Sequence, residues 1–162
     1  MNADNHWYAI YTRPNFEKKL KEDLSILGIK NYCPIIITKR KWSDRWKKIE
    51  TPLLRSIIFV HIQLEKEKSK ILSLYGVHRF LSEFGKNPII PDKEIQAMRD
   101  FILQSEKYDI IGDVEVFFKQ DTTQLKNITQ NELRNNRISL VLPDSGIKIS
   151  MKVEKQQILD KS

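Results

Sequence analysis

The chain holds a single cysteine, Cys33, so no disulfide can close within it. Its apolar, strand-like surroundings suit a reducing compartment. Glycine is sparse as well, with five residues scattered through 162 and none arranged as a phosphate-binding loop. The three histidines, His6, His61 and His78, lie far apart and match no metal-ligand spacing, which leaves them as structural or surface residues. Asp and Glu occur mainly beside Lys or Arg, as on solvated helix faces, and Cys33 has no adjacent base. These absences predict a chain that is not an enzyme and needs no cofactor or metal. No apolar run approaches the roughly 20 residues of a membrane span. The start MNADNHWYAIY lacks a basic segment leading into an apolar one, so it is not a secretory signal. The expectation is a cytoplasmic protein with no membrane partner.

What is abundant is positive charge, and it is unevenly placed. The net charge is +7, and residues 1–100 carry all of it, with 19 Lys/Arg against 12 Asp/Glu; residues 101–162 hold nine of each. The densest stretch is Lys39 to Lys48, KRKWSDRWKK, with six basic residues, one acidic residue and two tryptophans. A packed core cannot absorb that charge, so the segment projects into solvent or toward a polyanion. We read it as a hairpin turning at Ser43-Asp44-Arg45, with Trp42 and Trp46 facing each other, a contact of about 0.2–1 kcal/mol. The plain alternative is that the tryptophans merely stiffen the hairpin and the charge is a solubilising surface.

Around this segment the chain reads as a small α+β layer, a mostly antiparallel sheet flanked by helices. His6 to Tyr11 is a strand. A helix follows Pro14, with Asn15 as N-cap, an apolar stripe of Phe16, Leu20, Leu24 and Leu27, and Gly28 past its end. Tyr32 to Thr38 is a strand interrupted at Pro34. Thr51 to Gln63 is a long apolar strand, and Glu65 to Tyr75 a helix burying Ile71, Leu72 and Tyr75. Val77 to Phe84 is a strand, and a helix after Pro91 places Ile95, Met98 and Ile102 on one face. The connection 104–111 is short and not Gly/Ser-rich. Beyond it Asp113–Lys119, Arg137–Leu142 and Ile147–Val153 are short strands, the last two joined by the turn Pro143-Asp144-Ser145-Gly146. A further strand is possible at 122–129, and together these suggest a small barrel. The expected domains are 1–103, a linker 104–111, and 112–162.

Six segments, in order, resemble the N-terminal domain of the NusG family of transcription elongation factors. They are WYAIYTRPNFEKKL at 7–20, GIKNYCP at 28–34, RKWSDRWKK at 40–48, PLL…IIFV at 52–60, GVHRFL at 76–81 and IIPDKEIQAM at 89–98. The elaborated basic hairpin is similar to that of the specialised RfaH-like and UpxY-like antiterminators. Residues 112–162 occupy the place of the family's KOW domain, a small SH3-like β-barrel. GDVEVF at 112–117 and the pattern at 137–153 match it, but no glycine stands between Gly112 and Gly146, so the barrel is degenerate.

The resemblance implies binding to the clamp helices of RNA polymerase, contact with the non-template DNA strand, and processive elongation or antitermination. The family's polymerase-facing motif falls on Pro52 to Ile57, which assigns the contact to Leu54, Arg55 and Ile57. Arg13, Lys18 and Lys19 fall where specialised members read DNA. Arg40, Lys41, Arg45, Lys47 and Lys48 would add phosphate contacts, and Trp42 or Trp46 could stack on a base. The C-terminal domain of the family recruits Rho or a small-subunit ribosomal protein. The competing reading, which the basic hairpin alone would support, is a free-standing RNA- or DNA-binding module. A small nuclease would need clustered carboxylates or histidines that the sequence does not show.

Overall fold

The computed structural model describes residues 4–118 and 136–155. The strand read at 122–129 lies outside the described residues. By internal contacts the chain divides into two units, Met1–Pro34 with Leu54–Ile95, and Ile35–Leu53 with Gln96–Ser162. The mixed α+β architecture with antiparallel pairing is as expected. The hairpin groups with the C-terminal strands, and the stretch 104–111 holds the end of one helix and the start of a strand.

The first unit is built on a four-stranded sheet. Its strands are β1 (His6–Thr12), β2 (Lys30–Tyr32), β5 (Ile57–Ile62) and β6 (Val77–Phe80), in the order β2-β5-β1-β6. All the named pairings are antiparallel. The central strands β5 and β1 are buried along nearly their whole length, which is why they read as continuous apolar runs. Helix α1 (Glu17–Ile26) lies against β2 and β5, and α2 (Leu64–Leu72) against β6. Leu20, Leu24 and Ile71 are fully buried.

Local chemistry explains the ends of α1. Asn15 was expected to cap the helix but takes a left-handed turn, φ 63°, and Phe16 occupies the cap without a side-chain bond. At the other end Gly28, φ 74°, supplies the left-handed residue expected there, and the Ile29 N–H donates to the Leu24 carbonyl at 2.9 Å. Gly76 lies close against α1: a Cβ there would stand 3.2 Å from the Phe16 ring, which would have to give by a few tenths of an ångström.

Three sequence expectations are corrected. The run Thr51 to Gln63 is two strands, because Leu53–Ser56 turns and Ser56 is left-handed, φ 63°. The break at Pro34 is a change of sheet: β2 stops at Tyr32, and β3 (Ile35–Trp42) begins in the other unit. Helix α2 ends at Leu72, leaving Leu72 and Tyr75 largely exposed instead of buried.

The second unit carries a five-stranded sheet, β4-β3-β7-β9-β8. Here β4 is Arg45–Pro52, β7 Tyr108–Phe118, β8 Arg137–Leu142 and β9 Ile147–Lys155. Strand β3 pairs antiparallel with β4 and briefly parallel with β7. Strands β7, β9 and β8 pair antiparallel with β9 between the other two, consistent with a KOW/SH3-like domain. Burial alternates along β8, with Ile138, Leu140 and Leu142 inside, as a half-buried strand requires. Helix α3 (Asp92–Ser105) begins in the first unit and continues into the second; Ile95, Met98 and Phe101 are buried. No described helix is long and apolar enough to cross a membrane.

Candidate nucleic-acid interface

The basic segment is a hairpin, but its turn is shorter than the sequence suggests. Ser43 and Asp44 alone connect the strands, with Ser43 left-handed at φ 51°. Trp42 therefore pairs with Arg45, and Trp46 with Lys41. The expectation that the tryptophans face each other fails, since directly opposite residues share a face and the two now fall on opposite faces. Each ring instead sits among cations, and the Lys47 ammonium stands 5.3 Å from the centre of the Trp42 ring. The tryptophans are 57% and 51% exposed, far from packed.

The root of the hairpin is tied down by charge. Lys39 pairs with Asp109 at 3.0 Å and Arg40 with Asp113 at 2.8 Å, both carboxylates belonging to β7. These two cations are engaged in ion pairs with the neighbouring strand. Lys41, Arg45 and Lys48 have no ion-pair partner among the described residues, and every side chain from Lys41 to Lys48 is exposed.

In the first unit a second basic and aromatic surface forms where loops meet. The Arg13 N–H donates to the Gly76 carbonyl at 2.9 Å, and its guanidinium Nε donates to the Tyr75 carbonyl at 2.6 Å. The same guanidinium lies 4.5 Å from the Tyr75 ring centre, and Phe16 meets that ring edge-on at 5.4 Å. On the neighbouring strands Arg79 stands directly opposite Tyr11, 4.5 Å from its ring. The sequence reading found Arg13 but missed Tyr75, Arg79 and Tyr11. The pairing of β1 with β6 brings Arg79 to Tyr11, and no local pattern announces it. Lys19 is paired with Asp23 at 3.2 Å along the helix, and Lys18 is exposed.

Residues 54–57 differ from expectation. Leu54 is 1% exposed and Ile57 4%, both packed in the core, while Arg55 alone of the three assigned contacts is exposed. The turn explains this. The Ile57 N–H reaches back to the Leu54 carbonyl at 3.3 Å, turning both aliphatic side chains inward and Arg55 outward. An exposed apolar residue stands elsewhere in the same unit: Phe84, 94% exposed, at the first position of a tight turn. Glu83 and Lys86 exchange backbone bonds of 2.7 and 3.0 Å across it, and Phe84 and Gly85 are both left-handed, at φ 53° and 74°. A non-glycine residue held so costs of order 1–3 kcal/mol, and such strain concentrates at functional sites.

Cys33 and His61 read as structural. Burial pushes the Cys33 thiol up to about 11, leaving it protonated and inert. His61 packs on Trp7 at 4.9 Å, and burial, then the charge of Lys30, lowers its pKa. Among the described residues no three His, Cys, Asp or Glu side chains converge as a metal site.

No curated protein matches the chain. One solved structure, titled "Domain interaction in Thermotoga maritima NusG", is similar at 18% identity, covering 93% of this chain and 97% of that one, with a TM-score of 0.46. The family whose description reads "Transcription termination factor nusG" matches residues 5–99, more than half of the chain, and the protein belongs to this NusG family of transcription factors.

Proposed function

We propose that the protein is a specialised NusG paralogue, of the RfaH-like or UpxY-like kind, that binds the clamp helices of elongating RNA polymerase and contacts the non-template DNA strand. Its effect is processive elongation or antitermination. The observation that carries the reading is the exposed hairpin, where two tryptophans and cations without an ion-pair partner among the described residues project from a strand anchored by two ion pairs. Aromatic faces among cations suit single-stranded nucleic acid, because bases stack while phosphates meet charge. Arg13, Tyr75, Arg79 and Tyr11 supply a second such surface, and Lys18 is an exposed cation on α1. For the polymerase contact the burial of Leu54 and Ile57 moves the proposal to Arg55 and Phe84, an exposed cation and an exposed apolar anchor. The family resemblance gives the C-terminal strands a recruiting role, toward Rho or a small-subunit ribosomal protein.

The burial of Leu54 and Ile57 favours the second reading, a nucleic-acid-binding module that works without polymerase. Co-purification with core RNA polymerase in the absence of nucleic acid separates the two. Retention, together with altered read-through of a known pause in a purified elongation assay, is the expected result. A protein that binds oligonucleotides but never core polymerase belongs to the second reading.

A further inference from the structure

The hairpin has two working faces rather than one. In an antiparallel ribbon successive side chains alternate faces and directly opposite residues share one. The register therefore sorts Arg40, Trp42, Arg45 and Lys47 onto one face, and Lys39, Lys41, Trp46 and Lys48 onto the other. Each face holds one tryptophan and three cations. In each, the tryptophan lies directly across from a cation, Trp42 from Arg45 and Trp46 from Lys41. Antiparallel hairpins ordinarily bury one face on a core. Here all residues from 41 to 48 are exposed, so both faces are open. The acidic residues of the hairpin stand apart from these sets, Asp44 in the turn and Glu50 beyond Lys48 toward the base.

We propose that this finger takes a strand of DNA on each face at once, so that its ligand is a fork, two unpaired strands diverging from a duplex. One base stacks on Trp42 and one on Trp46. Arg45 and Lys47 meet the phosphates of the first strand, Lys41 and Lys48 those of the second. Lys39 and Arg40, held by Asp109 and Asp113, keep the ribbon upright between them. A ribbon is thin. Layers packed on a sheet face lie about 10 Å from it, and a two-residue tip lets strands on opposite faces rejoin just beyond it. A single strand lying along one face would leave the other face's tryptophan and cations in water, with no use for the matched set. The inference rests on the proposed DNA contact and does not depend on the polymerase contact.

Fluorescence anisotropy with the full chain tests it, using a labelled Y-shaped DNA with two short unpaired arms, each arm alone, and the duplex without arms. Stacking of one additional base is worth roughly five- to hundredfold in affinity, and the fork is expected to bind tighter than either arm by at least the lower figure. Trp42→Ala and Trp46→Ala should each reduce fork binding to about the single-arm value while leaving single-arm binding within about twofold, since either face can accept an arm. Arg45→Gln with Lys47→Gln, and Lys41→Gln with Lys48→Gln, should reproduce the two losses without touching a ring. Melting temperatures confirm that the exposed substitutions leave the fold intact. Equal affinity for fork and arm overturns the proposal. So does a pattern in which one tryptophan governs all binding and the other none, which is one-face binding of a single strand. If none of the DNAs binds at all, the DNA contact itself fails, and polymerase co-purification then stands as a separate question.

Discussion

Arg13 and Tyr75 are locked together across the chain: one guanidinium both donates to the Tyr75 backbone carbonyl at 2.6 Å and covers the Tyr75 ring at 4.5 Å. This clasp ties the loop after β1 to the loop after α2. It also presents an aromatic ring that is 71% exposed, with a charge already in register beside it.

Tyr75→Ala is expected to weaken single-stranded DNA binding by about 1–3 kcal/mol, the usual worth of a stacked base. Arg13→Lys should lose binding too, because an ammonium cannot reproduce a planar guanidinium that stacks and donates together. Anisotropy titrations at fixed salt check both. Retention of full affinity by Arg13→Lys would reduce Arg13 to a point charge.

The hairpin's electrostatic share is legible in salt dependence. On single strands each phosphate contact contributes about 0.7 to the slope of log K against log salt. A single strand meets two of these cations whichever face it takes, so Arg45→Gln, Lys47→Gln, Lys41→Gln and Lys48→Gln combined should flatten that slope by about 1.4. An unchanged slope would remove the hairpin from the contact.

The core assignment of Leu54 is separately testable. Truncation of a fully buried leucine costs about 2–5 kcal/mol, so Leu54→Ala should lower the urea midpoint sharply, whereas Arg55→Ala should scarcely move it. A Leu54→Ala protein of unchanged stability that failed to co-purify with polymerase would instead return Leu54 to the surface.

Much of this was written in local pattern. The Gly28 stop and strand β8 follow from turn chemistry and periodicity and stand where they were expected; of the α1 stripe Leu20 and Leu24 are buried, whereas Leu27, past the helix end, is exposed. The failures share a cause. Whether a turn holds two residues or three depends on Ser43 accepting a left-handed backbone, and one residue of slippage moves Trp46 to the other face of the ribbon. The inward turn of Leu54 and Ile57 depends on Ser56, another non-glycine residue at positive φ. Side-chain type predicts such conformations poorly. Tyr75 and Arg79 were missed because the residues that give them meaning, Arg13 and Tyr11, are more than sixty positions away and arrive through β1–β6 pairing.

Cys33 gives a prediction in pH. Burial raises its pKa from 9.0 to about 11, so the folded state favours the thiol over the thiolate. The sign follows: this contribution to stability is fully present below pH 9 and is lost as pH rises toward 11. Native protein at pH 8 should react with a thiol reagent far more slowly than urea-unfolded protein does, because both thiolate fraction and access are reduced. Equal rates would place Cys33 at the surface.

Phe84 offers the sharpest separation of stability from function. At φ 53° its backbone suits glycine, and its ring, 94% exposed, makes little contact that folding could use. Phe84→Gly relieves the left-handed strain, of order 1–3 kcal/mol, and gives back part of it, about 0.5–1 kcal/mol, through the greater freedom of glycine in the unfolded chain. The expected balance is a protein as stable as the parent or slightly more so. If Phe84 is the apolar anchor for polymerase, the same variant should lose retention on core polymerase while its DNA binding stays unchanged. Urea unfolding and polymerase co-purification, measured on one preparation, read the two effects. Gain in stability paired with loss of retention marks a residue kept in strain for its partner; loss of both would mean that the ring packs within the fold, and loss of neither would leave the strained turn without a role.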